Sequence, residues 1–430
     1  MYSGPDKGYY SMDPRFNLAF CDTYKYPQEV KTHFTIILQK IDDSLGLKNV
    51  ISVILYGSTS RGELSYKFDG GRLDLFSDYE LEVIIRKSAS KESILELKES
   101  ISKESFSIAN PLFHVDLSFN TKFSFWLKRR LDRRLAIFEV RENGVTLYGE
   151  DILKILPKMN VKSLDIGNLN ELILVRLWMQ LLYMPPGFAK SSLNERDSEI
   201  LKYFLARNAM EILTIYLPSK GVLLPTYTKR VNYFSEHEKN PPFPPSYADF
   251  FKECLSVKLS LKFNLQIEQY YAKMLEGYLI LLECLLGIEK SSADISDRVG
   301  VVSKRLMGGQ NGFINDNMLS KFRRKRREVR IWRSMEKQSF IDSIRWLFRD
   351  KRPYIMGFLL NYHFYLNSRF AQGAEKEEFL INARKFMDEF SDKKSSNPYM
   401  GWQELNREIV KFMSRWLYNN PVYLERLGMD

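Results

Sequence analysis

Cysteine is nearly absent from this chain. Its three residues, Cys21, Cys254 and Cys284, are odd in number and widely spaced, which excludes a disulfide framework and supplies no zinc-ligand spacing. Long apolar runs are missing too. The best candidate, Tyr278 to Ile288, is short of the ~18 residues a membrane span needs and is interrupted by Glu283, so no span is expected. The first residues, MYSGPDKGYYSMD, have no apolar core of the kind a signal peptide carries, so the expected compartment is the cytoplasm. What remains is ordinary globular material: 44% hydrophobic and 27% charged residues, which excludes wholesale disorder and fibrous repeats. Aromatics are abundant at 14%. A length of 430 residues predicts two or three domains.

Acidic charge is lacking in one place only. Residues 1–150 hold 21 basic and 21 acidic residues, whereas residues 301–370 hold 16 basic against 5 acidic, so the net +11 of the chain equals the excess of that one segment. Its centre is KFRRKRREVRIWR (Lys321–Arg333), with eight cations and one acid. Cations so close together repel, and a nucleic acid or other polyanion would relieve that repulsion. The alternative is a solvated helix face, and no RNA-binding signature accompanies the run.

Along the chain, QEVKTHFTIILQKIDDSLGL (28–47) has the spacing of an amphipathic helix ending near Gly46. ISVILYG (Ile51–Gly57) predicts a buried strand. YELEVIIR (Tyr79–Arg86) and LFHVDLSF (Leu112–Phe119) alternate as half-buried strands, with Lys91–Ser105 helical between them. LAIFEV followed by ENGVTLYG predicts a last hairpin-like pair of strands ending near Gly149. After Glu150 strand signals nearly vanish. Leu169–Tyr183, Ser198–Tyr216, Gln266–Leu286, Gln338–Leu347 and Glu375–Phe390 have helical spacing, broken at Met184-Pro185-Pro186-Gly187, at the proline cluster 241–245 and at the glycines 308–312. The prolines would act as a stiff connector. The expected class is α+β: an N-terminal extension (1–27), an α/β unit (28–150), a helical bundle (151–240) and further helices (248–430).

The residues with chemical promise lie in the α/β unit. In Leu55-Tyr56-Gly57-Ser58-Thr59-Ser60-Arg61-Gly62-Glu63 a strand runs into Gly-Ser, where the backbone can approach an anion and Ser58 can donate a hydroxyl. Such a turn by itself is usually just a turn. Asp78 and Glu80 then open a strand on one face, and Asp116 sits in the next strand among alternating neighbours. A carboxylate in a buried strand is costly unless paired or bound to metal, and converging carboxylates call for a divalent cation. Asp74, four residues before Asp78, is an alternative first ligand, with Asp78 and Glu80 preferred. His114, two residues from Asp116, reads as an ordinary strand residue or as a neighbour of the acids. The aromatic stretches Tyr270–Tyr278 and Tyr354–Phe370 read as packing rather than base-stacking platforms. Leu223–Arg230 reads as a loop whose Lys229 and Arg230 either face a substrate or are solvated.

Gly57-Ser58, Asp78-x-Glu80 and a later-strand Asp116 resemble the motif of the DNA polymerase beta-like nucleotidyltransferase superfamily. GSTSRGE (Gly57–Glu63) is similar to its minimal members. GVTLYGEDIL (Gly144–Leu153) is similar to the end of the domain in kanamycin- and streptomycin-type enzymes, which continue into a helical bundle. The resemblance covers about 120 residues. It departs from the family in the 19 residues between Ser58 and Asp78, where YKFDGGRLDLF (Tyr66–Phe76) looks inserted, and in the glutamate at position 80. It implies a catalytic domain with a short mixed sheet, and a metal-dependent enzyme moving a nucleoside monophosphate from an NTP such as ATP to an acceptor hydroxyl, with release of pyrophosphate. Asp78, Glu80 and Asp116 would hold Mg2+ or Mn2+, and Asp116 would take the acceptor's proton. Gly57 and Ser58 would grip phosphates, and Arg61 would clamp them, pair with Glu63 or take a surface role.

The acceptor is expected to be a small molecule. Two alternatives stand beside it: a signalling synthase making cyclic or linear oligonucleotides, and a non-enzymatic nucleic-acid-binding protein on an inactive fold. Three intact acids weigh against inactivity.

Overall fold

Val30, Phe34, Ile37, Leu38 and Ile41 fall on one stripe at helical spacing, and all five are buried. They form the inner face of α2 (Gln28–Leu45), which Gly46 ends in a left-handed conformation at φ 69°. The computed structural model describes residues 13–87, 89–104, 106, 113–131, 133–182, 184, 193–238, 241–289, 292–307, 352–371 and 377–391. Lys321–Arg333, Gln338–Leu347 and the glycines 308–312 lie outside the described residues. The chain is an α+β protein that divides into two compact units, Met1–Asn160 with Lys258–Leu261, and Val161–Val257 with Lys262–Asp430.

The first unit is built on a four-stranded mixed sheet. α1 (Ala19–Thr23) precedes α2, and then come β1 (Val50–Tyr56), a one-turn α3 (Gly57–Ser60), β2 (Tyr66–Asp69), β3 (Arg72–Leu75) and β4 (Tyr79–Ile85). α4 (Lys91–Ser102), β5 (Val115–Thr121), α5 (Lys122–Leu131), α6 (Leu135–Asn143) and β6 (Val145–Gly149) complete it. The sheet order is β5-β4-β1-β6, with β4 and β5 parallel and β1 antiparallel to both of its neighbours. β1 is a continuous apolar run because both its faces are covered. Val53 and Leu55 join the large core with α2 and α4, while Ile51 and Ile54 meet Phe125 of α5 and Val140 of α6. β4 alternates instead. Tyr79, Leu81, Val83 and Ile85 enter the large core, and Glu80, Glu82 and Ile84 share the opposite face. Residues before α2 take part as well, since Phe16, Leu18, Phe20 and Cys21 are buried in the same core.

One local reading needs correction. LAIFEV is not a strand: Leu135–Asn143 is a helix, and only Val145–Gly149 joins the sheet. The apolar residues at 135, 137, 138 and 140 fit both periods, but Ala136, Glu139, Arg141 and Glu142 are good helix formers and break the β-branched character. The inserted stretch after Ser65 is itself ordered, as the hairpin of β2 and β3. Gly70 and Gly71 turn it with φ of 55° and 78°, the pair of positive angles that a two-residue hairpin turn demands.

The second unit is helical: α7 (Ile166–Leu182), α8 (Glu195–Ser219), α9 (Tyr227–His237), most of α10 (Ser246–Ser260), α11 (Ile267–Leu286), α12 (Ile295–Met307), α13 (Arg352–Ala371) and α14 (Glu377–Ser391). Among the described residues no helix is long and apolar enough to cross a membrane. The aromatic stretches are core, as expected: Tyr270, Tyr271, Tyr278, Phe358 and Tyr362 are buried. The proline cluster is more than a spacer, because Phe243 within it is buried and packs edge-on against Tyr216 at 5.3 Å. The predicted loop Leu223–Arg230 is half helix. α9 starts at Tyr227 under a Thr226 cap, and Arg230 is buried, with Nε donating to the Leu224 carbonyl and Nη1 to Thr214 Oγ1.

His363 of α13 is fully buried, and burial depresses its imidazole to about 4 from an ordinary 6.5. Nε2 lies 2.7 Å from the Leu177 carbonyl, which can only accept, so Nε2 carries the proton and Nδ1 accepts from the Tyr271 hydroxyl at 2.8 Å. The unfolded chain takes up a proton near 6.5 and the folded one near 4. Stability is therefore complete above pH 6.5 and declines as pH falls through that window, by roughly 3 kcal/mol at its end. His33 in the first unit is depressed in the same direction by burial and adds a like slope. Urea midpoints measured from pH 7 to 4.5 should fall, and less steeply in His363→Gln. Parallel slopes in the two proteins would refute this account.

Candidate functional site

β1 delivers Tyr56 opposite Glu80 of β4, and β4 places Glu80 beside Asp116 of β5. Neighbouring strands lie about 4.8 Å apart, so Glu80 and Asp116 stand side by side on one face. Gly57 follows Tyr56 at φ 77°, and a Cβ there would fall 1.6 Å from Glu80 Oε2. The space a side chain would fill is thus taken by the Glu80 carboxylate. Gly57→Ala should strain the backbone by about 1–2 kcal/mol and push Glu80 aside. A lowered melting temperature is expected, and an unchanged one would show that the turn tolerates a Cβ.

The turn itself is held from behind. Ser60 Oγ donates to the Gly57 carbonyl at 3.0 Å, Tyr24 to the Ser60 carbonyl at 3.1 Å and Tyr26 to the Thr59 carbonyl at 2.9 Å. Ser58 is half-buried beside Gly57, at the open end of β1. Arg61 takes the ion-pair alternative. Its Nε is 3.2 Å from Glu63 and its Nη1 2.6 Å from Glu139 of α6, so the guanidinium bridges two carboxylates.

Asp78 sits just before β4 and is part-exposed. Its Oδ1 accepts the His114 backbone N–H at 3.0 Å and lies 3.1 Å from His114 Nδ1. His114 is therefore a holder of Asp78. Asp116 differs from its expected setting: it is the second residue of β5 and exposed, not enclosed in a buried strand. Asp74 belongs to β3, opposite Lys67 in the separate hairpin sheet.

Sequence reasoning missed two members of this face. Glu82, fully buried, continues the i, i+2 series of Asp78 and Glu80 and accepts from Asn120 Nδ2 at 2.6 Å. Tyr56 is half-buried among the acids. Burial first, then Glu80, Asp116 and Glu82, push its hydroxyl well above its ordinary range. The period-two face that carries Asp78 and Glu80 also carries Glu82. Lys258 belongs to this unit and is buried too, with Nζ donating to Ser65 Oγ at 2.9 Å and to Ser77 Oγ at 2.6 Å, directly before Asp78.

The donor set is all carboxylate oxygen, the ligand type of hard divalent cations, and the Glu80 carboxylate has a cradle cleared by Gly57. As placed, no three His, Cys, Asp or Glu side chains among the described residues form a ligand group. The acids match such a cation in donor type, and as placed they are not gathered into a ligand group.

No family model matches the sequence, and no curated protein matches it. Among solved structures it is similar to the spectinomycin adenyltransferase AAD(9) from Enterococcus faecialis, a structure with ATP and spectinomycin. That match has 12% identity, covers 58% of this chain and 98% of the other, and has a TM-score of 0.36.

Proposed function

We propose that the chain is a metal-dependent nucleotidyltransferase that moves a nucleoside monophosphate from an NTP to a hydroxyl of a small molecule. The observation that carries this reading is the side-by-side placement of Glu80 and Asp116 at the mouth of a Gly-Ser turn whose glycine leaves room for the Glu80 carboxylate. Mg2+ or Mn2+, held by Glu80 and Asp116 with Asp78, would neutralise charge on the triphosphate. Gly57 admits the phosphates close to the backbone, and the Ser58 hydroxyl donates to one of them. Asp116, exposed and carboxylate, accepts the proton of the attacking hydroxyl. The acceptor oxygen bonds to the α-phosphorus, the bond from that phosphorus to the bridging oxygen breaks, and pyrophosphate leaves. His114 positions Asp78. Arg61 is assigned to the turn rather than to the phosphates, because two carboxylates already occupy its guanidinium.

The test is incubation with each α-labelled NTP and Mg2+, alone and with a panel of hydroxylated small molecules, following label and pyrophosphate together. One pyrophosphate per label transferred to an added acceptor is the expected result. Labelled oligonucleotides formed without an acceptor would replace this reading with the signalling synthase. Failure of every NTP to bind or react would leave a non-enzymatic fold.

A further inference from the structure

The outward face of α5 is apolar. Phe123 is 69% exposed and Leu127 41% exposed, while Phe125 on the inner side is fully buried against the sheet. Positions 123, 126 and 127 share one helical face, and the Phe123 and Trp126 rings stack at 6.2 Å with 27° between their planes. A helix normally hides such a stripe. The same short segment is strongly cationic: residues 122–134 hold Lys122, Lys128, Arg129, Arg130, Arg133 and Arg134 against Asp132 alone. Lys122 is engaged at 2.5 Å by Glu150. Cations near a helix C-terminus offset its dipole, but that gives no reason to present Phe123 and Leu127 to water.

We propose that α5 is a docking ridge for an anionic lipid surface. Charge complementarity selects the partner, since a cationic cluster on an amphipathic helix matches acidic headgroups, and the apolar stripe matches the acyl boundary beneath them. The ridge is a single convex helix rather than a groove. A single-stranded nucleic acid fits less well, because Leu127 offers no ring face and the two aromatic rings already face each other instead of standing apart for bases. The attachment is peripheral and leaves the acid-bearing end of β4 and β5 unused, because α5 follows the far end of β5 from Asp116.

The test is co-sedimentation of the full chain with phosphatidylcholine vesicles, with and without phosphatidylserine, and titration of a fluorescent single-stranded oligonucleotide. Binding to the phosphatidylserine vesicles alone, weakening as salt rises, is expected. Phe123→Ser/Leu127→Ser should reduce it by roughly tenfold or more, as the loss of two inserting side chains implies. Both residues are exposed, so the melting temperature of this variant should match the parent. Lys128→Gln/Arg130→Gln tests the charge independently and should reduce both the binding and its salt dependence. Absence of vesicle binding, equal binding to phosphatidylcholine alone, or undiminished binding in both variants would overturn the proposal. Oligonucleotide binding that the Phe123/Leu127 variant abolishes, without vesicle binding, would overturn it in favour of a nucleic-acid partner.

Discussion

Glu80→Gln, Asp116→Asn and Asp78→Asn should each cut nucleotidyl transfer on the order of a thousandfold or more while the fold survives. The size follows from the chemistry proposed: positioning and charge neutralisation supply nearly all the acceleration when a phosphoryl centre is displaced, so each carboxylate is needed in its ionised form. The expectation for stability follows from the geometry. Glu80 and Asp116 are adjacent on one face that Glu82 continues, so the face is crowded with negative charge, which adds to burial in raising the Tyr56 hydroxyl. Removing one charge relieves repulsion, and the melting temperature without metal should hold or rise. Asp116 is exposed and has little to lose. Asn at 78 keeps an oxygen that can accept the His114 N–H. Glu82 supplies the contrast. It is fully buried and bonded to Asn120, so Glu82→Ala should destabilise the protein rather than selectively inactivate it. Transfer assays paired with thermal melts on all four variants decide the matter. Retained transfer in Glu80→Gln, or unfolding of all three site variants, would make these acids structural partners instead.

The elements legible in the sequence are those whose burial is one-sided or complete. α2 shows its stripe and its terminal glycine, β1 its unbroken apolar run, and β4 its strict alternation. α6 failed because residues 135–140 satisfy two periods at once, and only packing against Ile54 and Ile84 decides between them. The β2–β3 hairpin is legible in its turn, because Asp69-Gly70-Gly71-Arg72 carries the turn chemistry outright. For the site, Asp78, Glu80 and the Gly57 turn were singled out by their context and by the resemblance, since carboxylate pairs at i and i+2 also arise by chance. Neither could give His114 as the holder of Asp78 or Glu139 as the second partner of Arg61, because those contacts span 36 and 78 residues of sequence. Asp116 was placed in the correct strand, but its exposure depends on where β5 begins, at Val115, and alternation alone leaves strand ends open. Arg230 shows the same limit in reverse. A basic residue in an apparent loop turned out to be buried, because the helix starting at Tyr227 carries it inward against Thr214.

The second unit should depend heavily on one carboxylate. Glu211 of α8 is 3% exposed and accepts from Arg176 Nη2 of α7 at 2.5 Å and from the Tyr227 hydroxyl of α9 at 2.8 Å. Burial alone would raise its carboxyl above the ordinary 4.5, yet Arg176, the Tyr227 hydroxyl, Arg230 and Arg207 hold it down at about 2. Three helices therefore meet on a single negative charge surrounded by cations. Glu211→Ala would leave Arg176 without that counter-charge and Tyr227 without its acceptor, a change worth about 3–5 kcal/mol of lost stability. Glu211→Gln keeps the shape and an acceptor for Tyr227, so it should lose less. The depressed carboxyl adds a pH signature. Its stabilising effect is complete above pH 4.5, where the unfolded group is also ionised, and disappears as pH falls from 4.5 towards 2, a lower window than that of His363. Urea unfolding of the parent, Glu211→Ala, Arg176→Leu and the double variant closes a cycle. A strong coupling between the two positions, with the double variant losing less than the sum of the singles, is expected. Additive losses, or an Ala variant as stable as the parent, would show that the pair contributes little and that the apolar packing of α7 against α8 holds these helices together without it.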